Sequence, residues 1–219
     1  MIKLIDVSKS YKTKHSNNFV LSNINHEFSC GSINTIYGNS GTGKTTFLNL
    51  AGLIDQPSSG SIYINDEQVL FNKDLSNYRM KYFGFIFQDH YLLPEFTVLE
   101  NLQLPQVIKN GKKYSKEKIY NLLDQFNLSN LLNEYPGRIS MGEAQRVAIL
   151  RATINNPKII IADEPTSNLD QFNAELVVKL FNTLQKDFGH TIIIATHDKR
   201  FLDISNNSYK LDNKNLIEI

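Results

Sequence analysis

The chain has 219 residues and a net charge of +1, from 23 basic and 22 acidic side chains. This balance argues against a general nucleic-acid-binding protein, which would usually carry a strong basic excess. Cys30 is the only cysteine, which excludes an internal disulfide and a cysteine-ligated metal site and fits a reducing cytosol. The alternating start of the chain does not resemble a signal peptide, and no apolar run approaches the ~18 residues of a membrane span. Any role at a membrane is therefore expected to involve a partner.

The beginning of the chain alternates apolar and polar residues and predicts an antiparallel, β-rich segment. The pattern places strands at 2–7 and 19–28. Residues 61–64 and 67–70 predict a hairpin, because an Asn-Asp pair separates two alternating runs.

Residues 38–46 read GNSGTGKTT and fit the pattern G-x-x-x-x-G-K-[ST]. Glycines let the backbone curl so that several N–H groups point at one anion, and the helix that follows presents its positive N-terminal end to the same anion. Lys44 can add a full charge at the β- and γ-phosphates, and the hydroxyl of Thr45 can hold Mg²⁺. An ordinary Gly/Ser turn is the alternative, but the flanks disfavour it, since 32–37 suits a buried strand and 45–53 a helix. The predicted phosphate-binding residues are Gly38, Asn39, Ser40, Gly41, Thr42, Gly43, Lys44, Thr45 and Thr46.

The middle of the chain changes from a strand to a helical pattern. Residues 82–87 predict a buried strand, and 97–132 predict helices. A capping box, T-x-x-E at 97–100, begins the first helix, and Ser115 begins the next. The five lysines of 109–118 are interpreted as a solvated loop and helix start.

The last third of the chain predicts a helix followed by a β-α-β unit. A second capping box, Ser140 with Glu143, begins a helix that extends to about residue 155. A glycine-containing helix N-terminus can also bind an anion, and here that anion could be a γ-phosphate held by another subunit. The isoleucine-rich runs at 158–162 and 191–195 predict parallel strands covered on both faces, joined by a helix at 172–188.

Two carboxylates end the strand at 158–162. Asp163 is predicted to hold Mg²⁺ beside the phosphate loop, and Glu164 is placed to polarise an attacking water. A polar strand end without function is the alternative, and the phosphate loop upstream makes that alternative weaker.

These motifs, in this order, resemble the nucleotide-binding domain of ABC transporters over nearly the whole chain. Tyr11 falls where that family stacks an aromatic ring on adenine, and Gln88 falls at the Q-loop. Residues 139–143 resemble the LSGGQ signature, and 167–170 resemble the D-loop. His197 matches the switch histidine.

The resemblance implies an α/β P-loop NTPase fold, with a RecA-like core, an antiparallel β subdomain and an α-helical subdomain. It implies one nucleotide-binding domain over 1–219. The core and β subdomain would take up about 1–88 and 157–219, and the helical subdomain about 89–156.

The resemblance also implies an ATPase that uses ATP and Mg²⁺ and forms a homodimer with ATP between its two copies. The implied catalytic residues are Glu164, His197 and Gln88. The implied metal ligands are Thr45, Gln88 and Asp163. Further implied nucleotide contacts are Tyr11, Ser140, Gly142 and Asp170, of which Ser140 and Gly142 would reach the γ-phosphate held by the other copy.

Within the family, the stretches 92–97, 142–148 and 162–170 are most similar to ATPases that release lipoproteins from the inner membrane. Related ATPases of macrolide exporters and of cell division remain alternatives. The resemblance implies a peripheral subunit at the cytoplasmic face of the membrane, no nucleic-acid partner, and integral membrane subunits that dock near the apolar segment 91–96. The alternative for that segment is that its side chains fold back into the core.

One residue departs from the family pattern. The signature usually has two glycines, and Met141 replaces the first. We interpret this change as tolerated, because the catalytic positions are all present, namely Lys44, Gln88, Asp163, Glu164 and His197. A regulatory subunit that binds nucleotide without turnover is the alternative.

Overall fold

The structure is a computed structural model that describes residues 1–12, 17–39 and 41–219. It contains two β-sheets. The first has four antiparallel strands in the order β2-β1-β4-β5. Its strands are β1 (Ile2–Lys12), β2 (Asn17–Phe28), β4 (Ser59–Ile64) and β5 (Glu67–Gln68). The predicted antiparallel start of the chain and its hairpin are thereby confirmed.

The second sheet has six strands in the order β10-β9-β3-β8-β7-β6. All neighbouring strands are parallel except β10, which is antiparallel to β9. Its strands are β3 (Ile33–Tyr37), β6 (Phe83–Ile86), β7 (Ile159–Asp163), β8 (Thr191–Thr196), β9 (Asn207–Asp212) and β10 (Asn215–Glu218).

Strand β7 shows why this sheet needs isoleucine on both of its faces. Ile160 and Ala162 belong to a hydrophobic cluster that includes residues of the helices after residue 97. Ile159 and Ile161 belong to the opposite cluster, which includes residues of the first sheet. The run is continuous rather than alternating because both faces of the strand are covered.

The structure contains six α-helices within the described residues. They are α1 (Lys44–Ala51), α2 (Ser76–Tyr82), α3 (Val98–Asn110), α4 (Lys116–Asp124), α5 (Met141–Thr153) and α6 (Gln171–Phe188). Both predicted capping boxes are present, at Thr97 with Glu100 and at Ser140 with Glu143. Ser115 caps α4, as predicted.

Helix α2 and the C-terminal strands β9 and β10 were not predicted from the sequence. Helix α2 has only seven residues, none of them fully buried, and only Tyr78 and Tyr82 pack partly against the core, so its apolar pattern is too short to reveal it. None of the helices in the described ranges has the length and apolar content needed to cross a bilayer. The division of the chain into subdomains stays a prediction.

Candidate active site

The phosphate loop connects β3 to α1, as the sequence predicts. Gly41 and Gly43 both have positive φ angles, 81° and 103°, which side chains rarely adopt. A Cβ on Gly43 would also lie 2.8 Å from a methyl group of Val20, so space as well as backbone conformation requires glycine there. Ser40 lies outside the described residues.

The side chain of Lys44 is buried and held by three acceptors. Its Nζ donates to the carbonyl oxygens of Gly38 at 2.7 Å and Asn39 at 3.0 Å. It also lies 3.2 Å from Oε1 of Glu164. The ammonium group therefore lies between the phosphate loop and the end of β7.

Asp163 and Thr45 meet at the N-terminus of α1. The Thr45 hydroxyl donates to Oδ2 of Asp163 at 2.7 Å. The other oxygen, Oδ1, is buried and has no hydrogen-bond partner among the described residues. Burial raises the pKa of the Asp163 carboxyl above its usual value, and repulsion from Glu164 also raises it. An unpartnered buried carboxylate oxygen beside a hydroxyl fits a hard cation such as Mg²⁺.

Glu164 turns out of β7 in the left-handed region, with φ 43°, and its amide donates to the carbonyl of Ala195 at 2.8 Å. A non-glycine residue in this region is uncommon and often marks a functional position. Its Oε2 lies 2.9 Å from Nδ1 of His197 and 3.2 Å from the hydroxyl of Thr196. The predicted general base and the predicted switch histidine are therefore in direct contact.

These groups surround a cleft of about 470 Å³, a volume typical of small-molecule sites. The cleft is lined by Val20, Gly41, Gly43, Lys44, Thr45, Thr46, Gln88, Asp163 and Glu164. The structure thus brings together the predicted phosphate-binding, metal-binding and catalytic residues. Eight predicted site residues among the described ones do not line the cleft, namely Tyr11, Gly38, Asn39, Thr42, Ser140, Gly142, Asp170 and His197.

Tyr11 lies at the end of β1, 46% exposed. Its hydroxyl lies 3.3 Å from a carboxylate oxygen of Asp55, and the Nζ of Lys9 lies 5.1 Å from the ring centroid. Lys9 and Asp55 form an ion pair at 2.7 Å. The predicted adenine-stacking ring is therefore exposed and fixed at its hydroxyl end.

Ser140, Gly142 and Asp170 form a second cluster away from the cleft lining. Asp170 caps α6, and its two carboxylate oxygens accept from the backbone and side-chain amides of Asn173. A Cβ on Gly142 would overlap the side chain of Asn173. The N-terminus of α5 is thus packed directly against the first turn of α6, and Gly142 is required inside the chain itself.

Three side chains that the sequence did not single out hold the loop after β6. Arg151 donates to the carbonyl oxygens of Tyr91 at 2.7 Å and His90 at 2.9 Å. Asn101 exchanges hydrogen bonds with the backbone of Leu93, and Gln145 donates to the carbonyl oxygen of residue 87 at 3.2 Å. Asn101 and Gln145 are buried polar residues that these hydrogen bonds satisfy. The contacts of Arg151 and Gln145 join elements distant in sequence, so no local pattern identifies these two residues.

A further network lies behind His197. Asp198 accepts hydrogen bonds from Thr166 at 2.8 Å and from the guanidinium of Arg200. Burial by itself would raise the pKa of Asp198, but these hydrogen bonds outweigh it and lower the pKa. This charged network positions the segment that carries His197 and was not predicted.

The apolar segment 91–96 divides between the core and the surface. Leu92 is only 6% exposed and belongs to the hydrophobic core. Tyr91, Leu93 and Phe96 are 62%, 38% and 37% exposed. The core interpretation is therefore correct for Leu92, whereas docking of a partner on the exposed part stays a prediction. We call these three exposed residues the docking surface.

The family model described as ABC transporter matches residues 21–167. The chain belongs to the ABC transporter ATP-binding family, and it is an ATPase of that class. It is 42% identical to the lipoprotein-releasing system ATP-binding protein LolD of Buchnera aphidicola subsp. Acyrthosiphon pisum, over 99% of this chain and 96% of the relative. It is 38% identical to the LolD protein of Treponema denticola, over 100% of this chain and 98% of that relative.

Solved structures confirm the predicted fold class. The ATP-binding cassette MJ0796, as a dimer in a post-hydrolysis state bound to ADP and Pi, is 35% identical with a TM-score of 0.87. The match covers 99% of this chain and 96% of that chain.

Proposed function

We propose that the chain is the ATP-hydrolysing subunit of a transporter that releases lipoproteins from the inner membrane. The substrate class rests on the LolD relatives, which match over nearly their full length. The observation that carries the hydrolytic role is the contact of Glu164 with both Lys44 and His197 at the edge of the cleft. Related ATPases of macrolide export or cell division remain alternatives for the biological output.

The proposed hydrolytic step uses residues of the cleft. The backbone N–H groups of the phosphate loop and the ammonium of Lys44 would bind the β- and γ-phosphates. Glu164 would orient the attacking water, and His197 would stabilise the charge that develops on the γ-phosphate. Gln88 would contact the same phosphate region from the other side of the cleft, which it lines.

We propose Mg²⁺ as the metal, held by Thr45, Asp163 and Gln88. The unpartnered Oδ1 of Asp163 supports this assignment. When bound, the cation would offset the negative charge of the phosphates and polarise them. Tyr11 is proposed as the adenine contact, with its ring available at the end of β1.

We propose that two copies bind two ATP molecules between them. Ser140 and Gly142, together with Asp170, would complete the site of the other copy, which agrees with their position outside the chain's own cleft. ATP would favour the closed dimer because it contacts both copies. The MJ0796 cassette, whose post-hydrolysis state is a dimer, supports this arrangement.

The transport role requires membrane subunits, which we propose dock on Tyr91, Leu93 and Phe96. An apolar surface of this kind is typical of a partner site. The chain would then be a peripheral protein at the cytoplasmic face of the membrane. We further propose that 89–156 forms the helical subdomain that carries this surface, within a single nucleotide-binding domain.

The test is to isolate the chain from detergent-solubilised membranes of its source cell and identify the proteins that accompany it. The proposal predicts a membrane protein with few spans and a large external domain, together with bound lipoprotein. A cell-division membrane protein, or no membrane protein, would leave the ATPase assignment intact and contradict lipoprotein release.

A further inference from the structure

The end of α3, the loop after it and the start of α4 form a strongly basic helical hairpin. Residues 108–118 contain five lysines and one glutamate, a net charge of +4 in a chain whose total is +1. All five lysines are exposed. Among the ion pairs of the described residues, none involves these lysines. We call residues 108–118 the basic hairpin; its lysines are Lys109, Lys112, Lys113, Lys116 and Lys118.

Exposed apolar side chains accompany these charges. Ile108, at the end of α3, is 64% exposed, and Tyr120, in α4, is 44% exposed. Tyr120 follows Lys116 by four residues, so the two side chains lie on the same face of α4. Lysines with an exposed aliphatic residue and an amphipathic aromatic ring are the combination found at the interface between a bilayer and water.

The basic hairpin folds back along α3, the helix that begins directly after the docking surface. The side-chain amide of Gln103 donates to the carbonyl of Tyr114 at 2.8 Å, which holds the hairpin along the first half of α3. The pKa of Glu100 is lowered by hydrogen bonds from Thr97 and, to a smaller extent, by the charge of Lys113. Glu100 and Gln103 both belong to the first half of α3, which begins directly after the docking surface, so the loop before α4 folds back along these turns of α3.

We propose that the basic hairpin binds the anionic lipid headgroups of the bilayer next to the membrane subunits. The charge of the hairpin is complementary to anionic lipid, and the hairpin folds back along the helix that follows the proposed docking surface. This contact goes beyond the proposed ATPase function, because it requires neither ATP nor a transporter subunit. It would orient the subunit on the membrane and raise its local concentration near its partner.

The experiment measures binding of the purified full chain to lipid vesicles by flotation, without nucleotide. One set of vesicles contains phosphatidylglycerol in phosphatidylcholine, and the other contains phosphatidylcholine alone. The test variant replaces Lys109, Lys112, Lys113 and Lys116 by Gln. The matched control replaces four other exposed lysines by Gln, at Lys73, Lys179, Lys210 and Lys214.

The proposal predicts binding to anionic vesicles only, weakened by salt, because each lysine near such a surface contributes roughly 1 kcal/mol. The test variant should bind at least about tenfold less, and the control should bind like the wild-type chain. The proposal would be overturned if the test and control variants lost binding equally, or if the wild-type chain bound neutral and anionic vesicles equally. Absence of binding to both kinds of vesicle would also overturn it. ATPase activity should be unchanged in the test variant. Failure of the lipid-binding proposal can therefore be distinguished from failure of the proposed ATPase function.

Discussion

The Nζ of Lys44 lies 3.2 Å from Oε1 of Glu164, which joins the proposed phosphate-binding cation to the proposed general base. An ammonium group has three N–H donors, and those of Lys44 face Glu164 and the carbonyl oxygens of Gly38 and Asn39. A phosphate oxygen that binds Lys44 must therefore replace one of these acceptors. If the phosphate oxygen displaces Glu164 from Lys44, Oε1 of Glu164 becomes available to a water molecule. Phosphate binding would in this way be connected to activation of the nucleophile.

Leu92 and Leu93 are adjacent residues that should respond differently to the same substitution. Leu93→Glu should leave the thermal midpoint and basal ATPase activity unchanged while reducing recovery of the membrane partner by roughly tenfold, because Leu93 is 38% exposed. Leu92→Glu should destabilise the chain by more than about 3 kcal/mol, because it buries an unpaired charge at a site only 6% exposed. Thermal denaturation and co-purification measure the two effects. Unfolding of the Leu93 variant would place that residue in the core instead.

Gly142→Ala should destabilise the isolated chain by about 1–3 kcal/mol even without ATP, because the new Cβ overlaps Asn173. Asn173→Ala added to this variant should recover part of the loss, since it removes most of the overlapping side chain. A double-mutant cycle from denaturant unfolding measures this coupling. Additive effects would contradict the conclusion that Asn173 is what requires glycine at position 142.

Asp163→Asn should raise the thermal midpoint of the chain at pH 7.5, by about 2 °C. Burial holds the pKa of Asp163 above its usual 3.8, so folding is favoured with the carboxyl protonated and this contribution is lost as the pH rises through the raised pKa. The gain should therefore shrink as the pH falls toward 4. Thr45 can still donate to the amide oxygen.

The same variant should lose Mg²⁺-dependent ATP binding. Asp187→Asn is the matched control, because Asp187 is exposed at the end of α6. Its replacement should change neither the thermal midpoint nor Mg²⁺-dependent ATP binding. A lower midpoint for Asp163→Asn at pH 7.5 would contradict the assignment of a buried, destabilising charge.

Met141→Gly should change ATP turnover by less than about threefold. The methionine side chain is 58% exposed and borders a cleft of about 160 Å³ that is also lined by Gln88 and Gln145. An unbranched thioether with three rotatable bonds can move into such a space when a second copy approaches. Steady-state kinetics measure the effect, and a gain of tenfold or more would show that Met141 restrains the enzyme.

Much of this site could be predicted because its chemistry depends on contiguous residues. The phosphate loop, the carboxylates after β7 and both capping boxes follow from local patterns, and each is present in the structure. The geometry of the contact between Glu164 and Lys44 could not be predicted. Glu164 has a left-handed backbone conformation, and its amide is bonded to Ala195, which is distant in sequence.

Other features depend on tertiary contacts that no local pattern records. Arg151 lies within α5, and only the folded chain shows that it holds the loop containing Tyr91. The requirement for Gly142 likewise arises from Asn173, which is distant in sequence. Helix α2 is seven residues long and has no fully buried residue, so its sequence carried too weak a pattern to reveal it.

The most direct test of the account is ATP turnover by the Glu164→Gln variant. The amide cannot accept a proton from water, so turnover should fall by roughly 10²–10⁴-fold while ATP still binds. Asp187→Asn, which also removes one acidic charge, should retain wild-type turnover. In the presence of ATP, the variant should also accumulate as a dimer, which analytical ultracentrifugation measures. Wild-type turnover by Glu164→Gln would contradict the central claim that this carboxylate activates the attacking water.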